Sequence, residues 1–371
     1  MSELLIRHGS DVHGTPLDLA VSGGQVVEHG DGPILDATGL YLLPGLLDLQ
    51  VNGCAGIDIT AEPTRLWEVG TALASHGVTA FVPTVITSSP AARDQALQTL
   101  TAGPPAGWVG AVPLGLHFEG PFISPARKGA HPAQWLRTPD AALVTAWSRS
   151  AGVLMVTVAP ELPGAIDLVR ALTARGIIVS VGHTDASAAQ VVEAVEAGAR
   201  CLTHLGNAMP PLRPRQPGPV GAALGGSGLV AGVIADGHHH DPLFLSAVWR
   251  ALGPRRFLTV SDTTAALGLA DGPVRLGDQE VVVSDGTVRL ADGTLAGSAA
   301  SLTDCLRTLR RTTGCSLADA AATATSTAAD LLGDSQRGRL DVGARGDVTL
   351  VDADLCVVAT VVGGRVVYGR F

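Results

Sequence analysis

The sequence predicts an α/β chain: a (β/α)8 barrel of the TIM type, with a small β-sandwich domain built from both chain ends. Three observations predict it. Eight short apolar runs alternate with helical stretches between residues 41 and 261. Most of those runs are continuously apolar rather than alternating, as parallel strands buried on both faces are. Both chain ends read instead as short strands with Gly/Asp turns and no helical period. A doubly wound sheet is the alternative for the first two observations.

In chain order the runs are 41–51, 78–86, 109–117, 153–159, 177–182, 200–205, 229–235 and 257–261. The stretches between them carry a 3.6-residue period. Leu66, Val69 and Leu73 share a face in 64–76, and Val191, Val192 and Val195 are expected to share one in 186–198. Gly77, Gly176 and Gly198 stand where a glycine ends a helix. The barrel is assigned to 44–337 and the small β domain to 1–43 plus 338–371. Residues 272–296 repeat the texture of the ends and read as a β excursion after the eighth strand. The uncharged run Val220–Ala235 is broken by Gly225-Gly226-Ser227-Gly228. It falls short of the roughly 20 apolar residues a membrane span needs, and reads as a loop followed by a buried strand.

Composition narrows the classes of function. Apolar residues make up 46% and charged residues 16%, enough for a large core and too apolar for disorder. With 46 glycines and 23 prolines, the chain exceeds their usual combined share of about 12%, so turns and close backbone approaches are expected. A net charge of −9 argues against a nucleic-acid surface. Five cysteines, none in a CxxC pair, read as free thiols of a reducing cytosol. The opening MSELLIRHGS lacks the apolar centre of a secretion signal, so a cytoplasmic protein is expected, with no membrane partner.

Every strand of a barrel opens its C-terminal end on the same rim. Gln50 and Asn52 follow strand 1, His117 and Glu119 end strand 3, His183 follows strand 5, His204 strand 6 and Asp262 strand 8. A lone strand-end histidine is usually structural. Two histidines and a glutamate converging on one rim, with an aspartate opposite, read as a hydrolytic metal centre. Neither GxSxG nor GxxxxGK[ST] occurs, so a serine elbow and a P-loop lack their signatures.

Ordered segments then carry a resemblance. PGLLDLQVNG, LGLHFEGPF followed by RKGAH, VGHTDA, THLGNAMPPL, IADGHHH, VSDTTAALG and DGTLAGSA resemble the N-acetylglucosamine-6-phosphate deacetylase family of the amidohydrolase superfamily. The resemblance implies one divalent ion per chain, Zn2+ with Fe2+ as the alternative, held by Glu119, His183 and His204. It implies Asp262 as acid/base and His131 as the group polarising the substrate carbonyl. Asn207, Ala208, Arg215 and His239 are then contacts to an amino sugar phosphate. The implied reaction deacetylates N-acetylglucosamine 6-phosphate; the alternatives are its galactosamine epimer, a deamination or cyclic-amide hydrolysis on the same barrel, or an inert scaffold.

Departures refine the expectation. Many superfamily members bind a second metal through His-x-His after strand 1, where Gln50 and Asn52 stand here as a vestige at most. Members with a bridging lysine carry it after strand 4; this chain has Ala159-Pro160-Glu161 there, and its one lysine is Lys128. Glu161 is expected to be a surface acid, and His117 to stand behind the ligands. Of His238, His239 and His240, the middle one fits the family position. Gly206 replaces an aromatic residue common in relatives. Arg215 lies in the loop PPLRPRQPG, long enough to reach a neighbouring subunit, and a homodimer is expected.

Overall fold

The computed structural model describes residues 3–369. Eight parallel strands form a nearly closed barrel: Leu46–Val51, Val78–Ile86, Leu116–Glu119, Val153–Val158, Ile178–Val181, Cys201–Leu202, Val230–Val233 and Phe257–Thr259. We number them barrel strands 1 to 8; each pairs parallel with the next. Helices Leu66–Ala74, Pro90–Ala102, Ala165–Thr173, Ala188–Glu196, Gly218–Leu224 and Pro242–Leu252 cover the outside. Leu302–Thr313, Leu317–Thr323 and Ser326–Leu332 follow the last strand. No described helix is long and apolar enough to cross a membrane.

Strands 8 and 1 share no ladder among the described residues. Their seam is closed by a single parallel bridge between Val51 and Thr263, and by the Asn52 N–H donating to Thr263 O at 2.7 Å. Lower down, the Asp48 carboxylate accepts from the Ser261 N–H at 3.2 Å and from its hydroxyl.

The run 41–51 is two strands rather than one. Tyr41–Pro44 pairs antiparallel with Val348–Val351 in the terminal sheet, and only Leu46–Val51 enters the barrel. The break is Gly45, where a Cβ would collide with the Thr79 hydroxyl and Asp347. In 109–117 the barrel strand is only Leu116 onward, after a two-residue bridge at Val112–Pro113. Residues 220–224 are helical, not a loop; the glycines come after the helix. Leu66, Val69 and Leu73 are buried as expected, but Val192 is 43% exposed. One residue advances a helix by about 100°, so Val192 cannot share the inner face with Val191.

The ends form one hydrogen-bonded sheet. Glu3–Ser10, Pro16–Ser22, Gln25–Val27, Ile34–Asp36 and Tyr41–Pro44 join Val348–Val351, Val357–Val362 and Arg365–Tyr368 around Leu4, Ile6, Leu42, Leu350 and Val361. Residues 1, 2, 370 and 371, read as part of this domain, lie outside the described residues. The excursion is a four-stranded antiparallel sheet, Gly272–Leu276, Gln279–Ser284, Thr287–Arg289 and Leu295–Ser298, packed through Leu276, Val281 and Val283 on Ile86. The cysteines are free: Cys54, Cys201 and Cys305 buried, Cys315 half-buried and Cys356 exposed.

Phe81, in barrel strand 2, is fully buried. Phe81→Ala should lower unfolding free energy by about 3–5 kcal/mol, read as a drop in urea midpoint at constant slope. A loss under about 1 kcal/mol would show that the barrel wall closes over the cavity.

Candidate active site

Glu119 is the last residue of barrel strand 3, while His183 and His204 each come two residues after strands 5 and 6. The rim brings them together. Glu119 Oε1 lies 3.1 Å from His204 Nε2 and 3.3 Å from His183 Nε2, and the two ring nitrogens are 3.0 Å apart. His183 Nδ1 faces the Arg127 carbonyl at 2.9 Å. A carbonyl only accepts, so Nδ1 carries the proton and Nε2 presents a lone pair. Three acceptors this close repel one another unless a proton or a metal cation sits among them. Burial alone would raise the Glu119 pKa, but wherever a proton sits on the facing ring nitrogens, the bonds and charge from His183 and His204 outweigh burial and hold it well below the carboxylate range. Two imidazoles and a carboxylate, one ring oriented through its far nitrogen, fit a divalent ion.

The two amides after strand 1 point donors, not lone pairs, at this centre. Gln50 Nε2 donates to Glu119 Oε1 at 3.2 Å, and Asn52 Nδ2 to Asp262 Oδ1 at 2.8 Å. His117 is turned down into the barrel, its Nδ1 3.2 Å from the Thr84 hydroxyl and Nε2 2.7 Å from that of Thr157. Burial lowers its pKa to about 4, so it stays neutral.

Asp262 lies across the cavity, 7% exposed. Burial, then the negative charge of Glu119, push its pKa up to about 7. His131 packs edge-on against His183, ring centres 4.3 Å apart. The Thr87 N–H donates to its Nδ1 at 3.3 Å, so the ring proton is on Nε2, on the side of Glu119 Oε2 at 3.8 Å. Burial and then the charge of His183 keep His131 far below its ordinary pKa and neutral.

His239, Asn207 and Ala208 line the same cavity of about 300 Å3. His239 Nδ1 lies 2.8 Å from Asp236 Oδ2, which leaves Nε2 for a ligand. Burial opposes ionisation of Asp236, but His239 outweighs it and keeps that carboxyl below its usual pKa. His240 stacks on Phe244 and His238 is exposed. Gly206, at φ +84°, faces His240 and Phe244; a Cβ there would come within 3.4 Å of both.

Two expectations change. Arg215 is not brought into this cavity: it is exposed and lines a neighbouring cavity of about 600 Å3, which shares Arg127 with the first. Its loop, dense in proline, turns outward after Met209. Glu161 is no free surface acid, since it accepts from the Thr184 hydroxyl and from the Asp185 N–H at 2.6 Å, clamping the turn after His183.

Sequence reasoning also missed parts of the site. Thr87 fixes the His131 ring, Arg127 fixes His183, and Leu276 with 294–297 of the excursion forms a wall. The DGTLAG run was the available signal for that wall. The backbone is strained here: His183, His204, Ala208 and Asp262 have φ of +47°, +30°, +49° and +49°. Such conformations cost about 1–3 kcal/mol each and collect at functional sites.

Fold and site together define a class, the hydrolases of carbon–nitrogen bonds that use a barrel-rim metal centre. A model of the amidohydrolase family matches residues 41–367, and the chain belongs to that family, whose members generally bind a divalent metal. It is 39% identical over 334 residues to N-acetylglucosamine-6-phosphate deacetylase of Bacillus subtilis, covering 88% of this chain and 84% of that protein. The human enzyme of that name is 40% identical over 353 residues, covering 90% and 85%. A crystallised Mycobacterium smegmatis mutant of such an enzyme, in complex with N-acetyl-D-glucosamine-6-phosphate, superposes with TM-score 0.89 at 31% identity, over 99% of this chain and all of that one.

Adding a divalent cation should raise the melting temperature with concentration, by about 2.7 kcal/mol of stability at 100 times Kd. In Glu119→Gln the shift should vanish. A shift that survives this change would locate the ion elsewhere.

Proposed function

We propose that the protein hydrolyses the acetamide of N-acetyl-D-glucosamine 6-phosphate, giving D-glucosamine 6-phosphate and acetate. One observation carries this reading: the Glu119–His183–His204 cluster, the Asp262 carboxyl and the free face of His239 line a single cavity. A hydrolytic centre and an anion contact therefore meet one small substrate. The names of the relatives agree with that chemistry.

Glu119, His183 and His204 would hold one divalent ion per chain, Zn2+ or Fe2+, because imidazole suits both. Bound there, such an ion supplies Lewis acidity, polarising the amide carbonyl and acidifying water toward a pKa of about 7. Gln50 and Asn52 donate to carboxylates, which supports one ion rather than two. Asp262 takes the proton of the attacking water and returns it to the departing amine. Burial, which raises the Asp262 pKa, suits a group that must both take a proton and give it back. The Nε2 proton of His131 bonds the carbonyl oxygen as its negative charge develops.

At the far end, His239 bonds the phosphate through Nε2 while Asp236 holds the ring. Asn207 and Ala208 line the sugar. Arg215 serves the site of a second copy in a homodimer, which accounts for its place outside its own cavity. The protein works in the cytoplasm on a soluble metabolite, with neither nucleic acid nor membrane as partner.

Acetate release tests the chemistry. Asp262→Asn should fold and keep its metal, yet lose at least about 10²–10⁴ in kcat. Near-normal turnover would assign the proton transfer to another group.

Arg215→Ala should raise KM for the phosphorylated sugar about 10-fold or more, as a charged bond of about 1.5–3 kcal/mol requires. Unphosphorylated N-acetylglucosamine should be little affected, and Arg213→Ala should change neither substrate much. Equal losses on both sugars would make Arg215 a structural residue and leave the phosphate to His239.

A further inference from the structure

Asp48 lies outside the cavity. It sits on barrel strand 1, 1% exposed, directly at the seam with strand 8. Its Oδ1 accepts from the Ser261 N–H at 3.2 Å and more distantly from the Gln50 N–H at 3.4 Å, and its Oδ2 accepts from the Ser261 hydroxyl. The Ser261 oxygen in turn accepts from the Thr263 N–H at 3.2 Å. A buried carboxylate and one hydroxyl thus grip the residues on both sides of Asp262.

That grip falls where the regular sheet supplies nothing. Strand 8 ends at Thr259, and Val260 is still tied to strand 7 by its N–H to Val233 O at 3.2 Å. Beyond it, among the described residues, the hydrogen bonds of Ser261 across the seam run to Asp48 alone. Asp262 follows in the left-handed region, φ +49°. A non-glycine residue keeps such a conformation only where its surroundings over-determine it. The Ser298 N–H holds the Asp262 carbonyl at 2.9 Å, and Asn52 holds its carboxyl at 2.8 Å. Asp48 holds the entry to the turn.

We infer that Asp48 is a positioning residue: acting through Ser261, it places the Asp262 carboxyl for proton transfer without touching substrate. The inference rests on Asp262 being the acid/base of the proposed reaction. The chemistry needs a carboxylate because two oxygens must accept from an N–H and an O–H of one residue at once. An amide there offers one acceptor and turns a donor toward the hydroxyl.

The test compares metal-loaded Asp48→Asn, Ser261→Ala and their combination with Asp262→Asn, using N-acetylglucosamine 6-phosphate and reading kcat, KM, metal content and thermal unfolding. Each single variant should lose between about 10- and 100-fold in kcat, with KM and metal content kept. The double variant should lose no more than the worse single one, because both changes break one link. Should Asp48→Asn fail to fold, Ser261→Ala alone decides. Full turnover in folded variants beside an inactive Asp262→Asn overturns the inference and leaves the reaction assignment standing. Loss of metal, or a KM that rises in step with the fall in kcat, also overturns it, since the effect then runs through Gln50 and Glu119. An active Asp262→Asn overturns the reaction assignment itself.

Discussion

Everything at the rim answers to one electrostatic constraint: three electron-pair donors held 3.0–3.3 Å apart in a nearly dry place. Such a cluster pushes itself apart, so its geometry is set by what surrounds it. Arg127 fixes one ring, Gln50 steadies the carboxylate, and the left-handed residues at His183 and His204 turn the rings inward from the strand ends. Beneath lies a floor of hydroxyls, in which Thr157 bonds His117 and Thr203, and Thr203 bonds Ser180. This floor joins barrel strands 3 to 6, three of which carry the cluster. A polar core of this kind is tolerable because nearly every member is satisfied.

The barrel was legible because parallel strands buried on both faces leave an unbroken apolar signature, and 78–86 matches strand 2 residue for residue. Glu119, His183, His204 and Asp262 were legible because a barrel places every strand end on one rim, so position along the chain becomes position in space. The segment at 41–51 misled because a strand leaving one sheet and a strand entering another are both apolar; only Gly45 marks the corner. Val192 misled because a one-residue step on a helix is a large rotation. Both errors concern direction, which composition does not encode.

Other features depend on tertiary contacts that no local pattern announces. Asp48 reads as one polar residue in an apolar strand until Ser261, far along the chain, arrives beside it. Glu161 reads as a surface acid until the turn after His183 folds over it. The excursion at 272–298 was visible as strands, but its place as a cavity wall follows from how Leu276 and Ile86 pack. Arg215 is the clearest case, because nothing in the local pattern PPLRPRQPG announces that its loop lines a neighbouring cavity rather than the one with the cluster.

Lys128 is the sole lysine, and its ammonium group donates to the Gly129 carbonyl at 3.2 Å, on the loop whose neighbours Arg127 and Gly129 line the cavity. Among side chains, reagents that seek ε-amines therefore meet one address, beside the cavity mouth. A fluorophore, crosslinker or surface tether attached through that side-chain amine would sit on the loop next to the chemistry.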